Sequence, residues 1–195
     1  MNLFHLQTPC RAICSWQRLT TFLLLLGCLL FLGMPTALAG INDDSFEGNV
    51  FVLYAGNASL LPPKVTLDKS LEQNDKATLL VYYVDDSSDC KQYAPVVSRL
   101  QAFYGRATNI IPVSVDTIPI KSTYTQTEPG YYYEGVVPQV VVFNQAGKIV
   151  LNQKGQVPYE QIDDTLREVF DLLPRSESLE LKRRHVNEFS SELAK

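Results

Sequence analysis

Residues 78–95, Thr-Leu-Leu-Val-Tyr-Tyr-Val-Asp-Asp-Ser-Ser-Asp-Cys-Lys-Gln-Tyr-Ala-Pro, constrain the fold of this chain more than any other stretch. An apolar, β-branched and aromatic run bounded by polar residues is the signature of a strand buried on both faces. Asp85 to Asp89 follow, short polar side chains suited to the free N–H groups of a helix start. Beyond them Tyr93, Val96, Val97, Leu100 and Phe103 recur at helical spacing. The segment therefore reads as strand, tight polar turn and helix, with Cys90 in the first helical turn.

The flanking chain alternates in the same way. Residues 50–54 read as a first strand, and Leu60-Leu-Pro-Pro63 interrupts any regular element. Thr66 is placed to cap a short helix reaching about Asn74, with Leu67 and Leu71 on one face. The central strand covers 77–84, the helix after it 89–104, and Gly105 is a natural stop. A second apolar run, 110–115, is expected parallel to the central strand after that helical crossover. Residues 116–135 are irregular, punctuated by Pro119, Pro129 and Gly130, and include Tyr131, Tyr132 and Tyr133. Residues 136–143 form another strand, Asn144 to Gly147 a hairpin turn and 148–151 the antiparallel return. Pro158 opens a closing helix whose apolar side is Ile162, Leu166, Val169, Phe170 and Leu173. This is an α/β domain, a central mixed sheet flanked by helices. Asn57-Ala-Ser matches a glycosylation acceptor, but that tripeptide is common by chance and carries no weight.

The N-terminus reads as a targeting segment. Arg11 and Arg18 precede an apolar stretch over 22–32, and Ala37-Leu38-Ala39 offers the small-x-small pattern cut by signal peptidase. Residues 1–39 are therefore expected either to be removed after Ala39 or to stay as a single membrane anchor over 19–39. Either way the remainder is exported: a linker over 40–48, a domain over 49–174, and a further helix over 175–195. Removal takes two of the 17 basic residues and none of the 21 acidic ones, so the net charge falls from −4 to about −6. Such a balance excludes nucleic acid as a partner on electrostatic grounds. Cys10, Cys14 and Cys28 go with the segment, which leaves Cys90 alone and no internal disulfide.

Strand, turn and Cys90-Lys91 followed by Ala94-Pro95 resemble the active-site segment of thioredoxin-fold proteins, in which Cys-x-x-Cys-Lys opens a helix interrupted by Ala-Pro. Val137-Pro138-Gln139 resembles that family's Ile-Pro-Thr, whose proline is cis, and Gly155 matches a glycine after the hairpin. The resemblance runs from about Val50 to Leu173. In the 116–135 region the family has a short helix; this chain has the longer tyrosine-rich insert. The family's attacking cysteine falls on Ser87, and its buried proton-transferring aspartate falls on Val81.

Disulfide exchange needs an attacking thiolate and a resolving thiol, and a serine alcohol supplies neither. No catalytic residue is assigned; Ser87 and Cys90 remain as a degenerate Ser-x-x-Cys. Asp85, Asp86 and Asp89 are expected to hold Cys90 as a neutral, weakly reactive thiol. Cys90 then serves as a small buried hydrophobe, as a regulatory or mixed-disulfide thiol, or as an attachment point. No cofactor is implied. No metal is expected either, because the exported chain has one histidine, His185, remote in sequence. By resemblance the loop Val137, Pro138, Gln139 faces the former active site and docks extended peptides. Tyr131, Tyr132 and Tyr133 would lie beside it, as contact area for a partner or as packing.

In the tail, Leu179, Val186, Phe189 and Leu193 form an apolar stripe around the basic centre 182–185. That helix packs on the domain, stays solvated, or docks a partner or an anionic membrane face. The leader, the Ser-x-x-Cys, the strand beginning Gly135-Val-Val-Pro138 and the charged tail together resemble cyanobacterial thylakoid thioredoxin-like proteins named for photosystem I accumulation. That resemblance implies a protein of the thylakoid membrane or lumen, with the periplasm as alternative, which supports photosystem I by binding membrane-protein or assembly partners. Two other readings stand beside it: a monothiol redox protein acting through Cys90, and a structural subunit held by its C-terminal helix.

Overall fold

The structure is a computed structural model that describes residues 10–32 and 40–178. The chain divides into two compact units, Met1–Ala39 and Gly40–Lys195. In the first, one helix, α1, spans Cys10–Leu32. Among the described residues no helix is long and apolar enough to cross a membrane. The small-x-small tripeptide ending at Ala39, His185 and the apolar stripe of the tail lie outside the described residues.

The second unit is built on strand β1, Ala77–Tyr83, all seven residues of which are buried. It pairs in parallel with β2, Thr108–Ser114, and antiparallel with β3, Gln139–Phe143. β3 continues by hairpin into β4, Ile149–Lys154, giving the sheet order β2-β1-β3-β4. Pro112 lies in β2 opposite Val81, on an edge strand where a missing N–H is tolerated. Gly147 takes the left-handed conformation (φ 71°) that closes the hairpin turn.

Alternation along β1 sends side chains to two cores. On one face Leu79, Val81 and Tyr83 meet helix α4, Ser88–Tyr104, and helix α5, Tyr159–Val169. On the other, Leu80 and Tyr82 meet Leu67 of helix α3, Leu67–Glu72, together with Tyr132 and Tyr133. The buried side of α4 is Cys90, Tyr93, Ala94, Val97, Leu100 and Tyr104, a helical i, i+3, i+4 stripe. Phe103, expected in that stripe, is 68% exposed and lies over Tyr159 and Arg99 instead. In α5 Ile162 and Leu166 are buried as expected, whereas Leu173 falls beyond the helix and is exposed.

One element differs in kind. Residues expected as a first strand form helix α2, Val50–Ala55. The cause lies at its ends. Asn49 Oδ1 accepts from the N–H groups of Phe51 and Val52, and Gly56 (φ 59°) closes the C-terminus by donating to Phe51 O. Asp85, at the far end of β1, accepts from Val50 N at 2.9 Å and from Asn49 Nδ2 at 3.0 Å. A short apolar run has no period of its own, so the caps decide. The expected helix through Asn74 stops at Glu72, and residues 175–177 form only a 3-10 turn within the described chain.

α4 and α5 are tied by a buried carboxylate. Asp163, 3% exposed, accepts from Tyr104 Oη at 2.5 Å, from Tyr159 Oη at 3.2 Å and from Arg167 Nε at 2.8 Å. Burial pushes its pKa up, but the Tyr104 and Arg167 bonds outweigh that and leave it below the ordinary aspartate value. Asp163→Ala strands these donors, and urea unfolding at pH 7 should show a loss of about 2–3 kcal/mol. A depressed carboxylate stabilises above its unfolded pKa of about 3.9. The gap to wild type should therefore narrow as pH falls through the folded value.

Candidate functional site

The C-terminal end of β1, the start of α4 and the loop before β3 converge at one end of the sheet. Ser87 is the N-cap of α4, and its Oγ accepts from Cys90 N at 3.3 Å. The hydroxyl at the attacking-cysteine position is thus a helix cap. One residue on, the Ser88 N–H donates to Asp44 Oδ1 at 2.8 Å. Of the acidic run expected to cap this helix, Asp85 instead anchors α2, and Asp89 receives a bond from Gln156 Nε2 at 2.9 Å. That last contact ties α4 to the loop after β4.

Cys90 is 2% exposed and packs in the same core cluster as Val81, Phe51 and Tyr83. Its thiol pKa lies above the ordinary value. Burial is the main cause, partly opposed by hydrogen bonds at Val84 and Ser87. The Asp89 and Asp85 charges, expected to dominate, add only small increments. Val81, 1% exposed, faces this cluster with no atom that could take a proton.

Lys91 holds the least anticipated feature. Its side chain is fully buried (0% exposed), and Nζ donates to Gly40 O at 3.1 Å, Asp43 O at 2.9 Å and Asp43 Oδ1 at 3.0 Å. Burial favours the neutral amine. The Asp43 bond and charge, with Glu47 and Tyr54, outweigh it and set the pKa above the ordinary lysine value. The Tyr54 ring lies 5.4 Å from Nζ. Residues 40–47, expected as a plain linker, therefore form a strap over the start of α4. Nothing local in the sequence signals this, since the partners lie 48 and 51 residues apart.

The loop before β3 keeps the cis peptide at Val137-Pro138 that the resemblance implies. Register places Gln139 opposite Tyr82, so Pro138 sits beside the end of β1. Pro138 O is occupied by Gly155 N at 2.7 Å. Gln139 is fully buried: Oε1 accepts from Glu134 N, while Nε2 donates to Tyr132 O and Asn152 Oδ1. Its side chain fastens the tyrosine insert to the sheet and is closed to a ligand. Tyr133 packs on Tyr82 with centroids 5.5 Å apart, and Tyr132 sits edge-on to Phe143 at 5.0 Å. Tyr131 alone of the three is as much as 50% exposed. Packing thus takes two of the tyrosines, and Val137 is half-buried between the two cores. Among the described residues no group of three or more His, Cys, Asp and Glu side chains could hold a metal ion.

Sheet order, cis-Pro138, closing hairpin and the helix after β1 define a thioredoxin-like fold whose first strand is replaced by a helix and whose attacking cysteine is a serine cap. No family model matches the chain. Over 158 residues it is 56% identical to thylakoid membrane protein slr1796 of Synechocystis sp. (strain ATCC 27184 / PCC 6803 / Kazusa), covering 81% of this chain and 78% of that one. The chain belongs to the family of that protein. A mutant thioredoxin from Halobacterium salinarum NRC-1 aligns in structure with a TM-score of 0.43 at 21% identity, over 55% of this chain and 86% of the other.

A buried thiol with a raised pKa should resist modification. Native protein at pH 7 should keep Cys90 unalkylated over a period that consumes free cysteine, and label it fully in denaturant. Equal rates in both states would contradict the placement of Cys90 in the core.

Proposed function

We propose that this protein is a redox-inactive thioredoxin-fold factor of the thylakoid, exported to the membrane or lumen, that supports accumulation or assembly of photosystem I by binding protein partners. The observation that carries the reading is the conversion of the exchange site into structure. Ser87 caps a helix, Cys90 is 2% exposed, and Val81 stands in the proton-transfer position. A thylakoid membrane protein 56% identical to this chain supports the location.

Partner binding falls to what remains at that end of the sheet. Tyr131 and Val136, 50% and 44% exposed, flank the Val137-Pro138 loop and offer apolar contact area. Gln139 and Tyr132 hold that loop in place from beneath. Membrane partners are met through this face, through the leader or through the tail.

Purified protein should show no catalytic insulin reduction. A strain carrying Cys90→Ala should accumulate photosystem I like wild type, with the variant's unfolding temperature measured alongside to confirm folding. A folded variant with lost function would replace this reading with monothiol chemistry at Cys90.

A further inference from the structure

The chain's 21 acidic residues avoid two stretches, 48–67 and 90–107, while Lys64, Lys91, Arg99 and Arg106 all fall within them. The two stretches meet in space. Helix α2 packs along α4, and Asn57, just past α2, donates through Nδ2 to Ser98 Oγ at 3.0 Å. Of the four cations Lys91 is buried under the strap, whereas Lys64, Arg99 and Arg106 are exposed. A protein with a net charge of −4 thus carries a surface of the opposite sign toward the C-terminal end of α4.

A surface depression of about 580 Å³ lies there, with Lys64 and Arg106 both in its wall and no carboxylate lining it. Among the described residues neither cation has an ion-pair or hydrogen-bond partner. The polar part of the lining is held in place by its own bonds. Ser59 Oγ donates to Asn57 Oδ1 at 2.7 Å, and Ser98, which accepts from Asn57, has no acceptor for its own hydrogen among the described residues. The last carbonyls of α4 bring about half a negative charge, so two full positive charges set the sign of the site. Phe103 also lines the depression, 68% exposed, with the Arg99 guanidinium 6.0 Å from its ring. A soluble anion would neutralise the cations and leave that ring in water. An anionic lipid surface satisfies both, the ring entering the acyl boundary while the cations meet headgroup oxyanions.

We propose that this face, built on Lys64, Phe103 and Arg106, docks the domain onto an anionic lipid surface. It rests on the thylakoid reading only for which membrane is met; the contact itself follows from charge and exposure. Cys90 and Phe103 are separated by 13 helical residues, about 20 Å along the axis of α4. Lipid contact here and protein contact at the Val137-Pro138 loop therefore do not compete, and the domain can hold a partner while seated on a membrane.

The test uses the full chain reconstituted in vesicles of phosphatidylglycerol and phosphatidylcholine in equal parts, or of phosphatidylcholine alone. Trp16 is the only tryptophan, so Phe103→Trp in a Trp16→Phe background places a single indole on the face. Phosphatidylcholine spin-labelled on its acyl chain should quench that indole in the mixed vesicles and not in the neutral ones. Lys64→Gln and Arg106→Gln should each lower the ratio of quenched to unquenched indole about fivefold. Unfolding temperatures of the variants should match, which separates lost contact from lost fold. Equal quenching in both vesicles, quenching that survives both substitutions, or an indole shielded from water before lipid is added would overturn the proposal. Binding of inorganic phosphate to the detergent-solubilised protein, without quenching in mixed vesicles, would assign the face to a soluble anion instead. Quenching reads lipid contact alone, so its failure leaves the photosystem I reading to be judged by the Cys90→Ala strain.

Discussion

A lysine ammonium with no exposed surface sits directly after Cys90, and the architecture around the start of α4 follows from having to satisfy it. An isolated charge at that depth is not sustainable, so the group must meet acceptors from elsewhere in the chain. Three oxygens arrive from Gly40 and Asp43, 48 to 51 residues earlier in sequence. Once the strap is drawn in, Asp44 reaches the Ser88 N–H and Asn49 stands where it can begin α2. Asp85 then closes the arrangement from the end of β1 by binding both Asn49 and Val50. Lys91, the strap, α2 and the turn after β1 form one connected polar frame over an apolar core.

That frame occupies the end of the sheet at which the family this scaffold resembles exchanges electrons. Its exchange site needs an accessible helix start with a free nucleophile. Here the hydroxyl of Ser87 is spent on the Cys90 N–H, and the next free amide is spent on Asp44. The residual thiol lies in the same core cluster as Val81, Phe51 and Tyr83, and burial raises its pKa. On the neighbouring loop the backbone and Gln139 are equally occupied, by Gly155 and by the tyrosine insert. What stays open is apolar surface at Tyr131 and Val136, which suits contact rather than chemistry.

Much of the fold was legible because its central elements follow local rules. The buried run of β1, the stripe on α4, the proline-led strand β3 and the hairpin at Asn144 to Gly147 are each set by residues within a few positions. Residues 50–55 escaped because five or six apolar residues suit either a strand or a helix. The choice was made by caps at Asn49 and Gly56 and by Asp85, 35 residues away. Lys91 escaped for a related reason: a lysine after a cysteine in an acidic turn looks solvated, and its partners are remote. The degenerate site was readable as an absence at Ser87 and Val81. The cause of the Cys90 shift was not, since burial is a property of packing and the nearby aspartates were the only visible charges.

The central claim is that the start of α4 is sealed by the strap, and native-state hydrogen exchange at single-residue resolution addresses it directly. The Ser88 and Cys90 amides should be protected, with similar opening free energies, because their acceptors, Asp44 and Ser87, belong to one frame. Exchange of Ser88 at the rate of an unstructured loop, while the core of β1 stays protected, would contradict it.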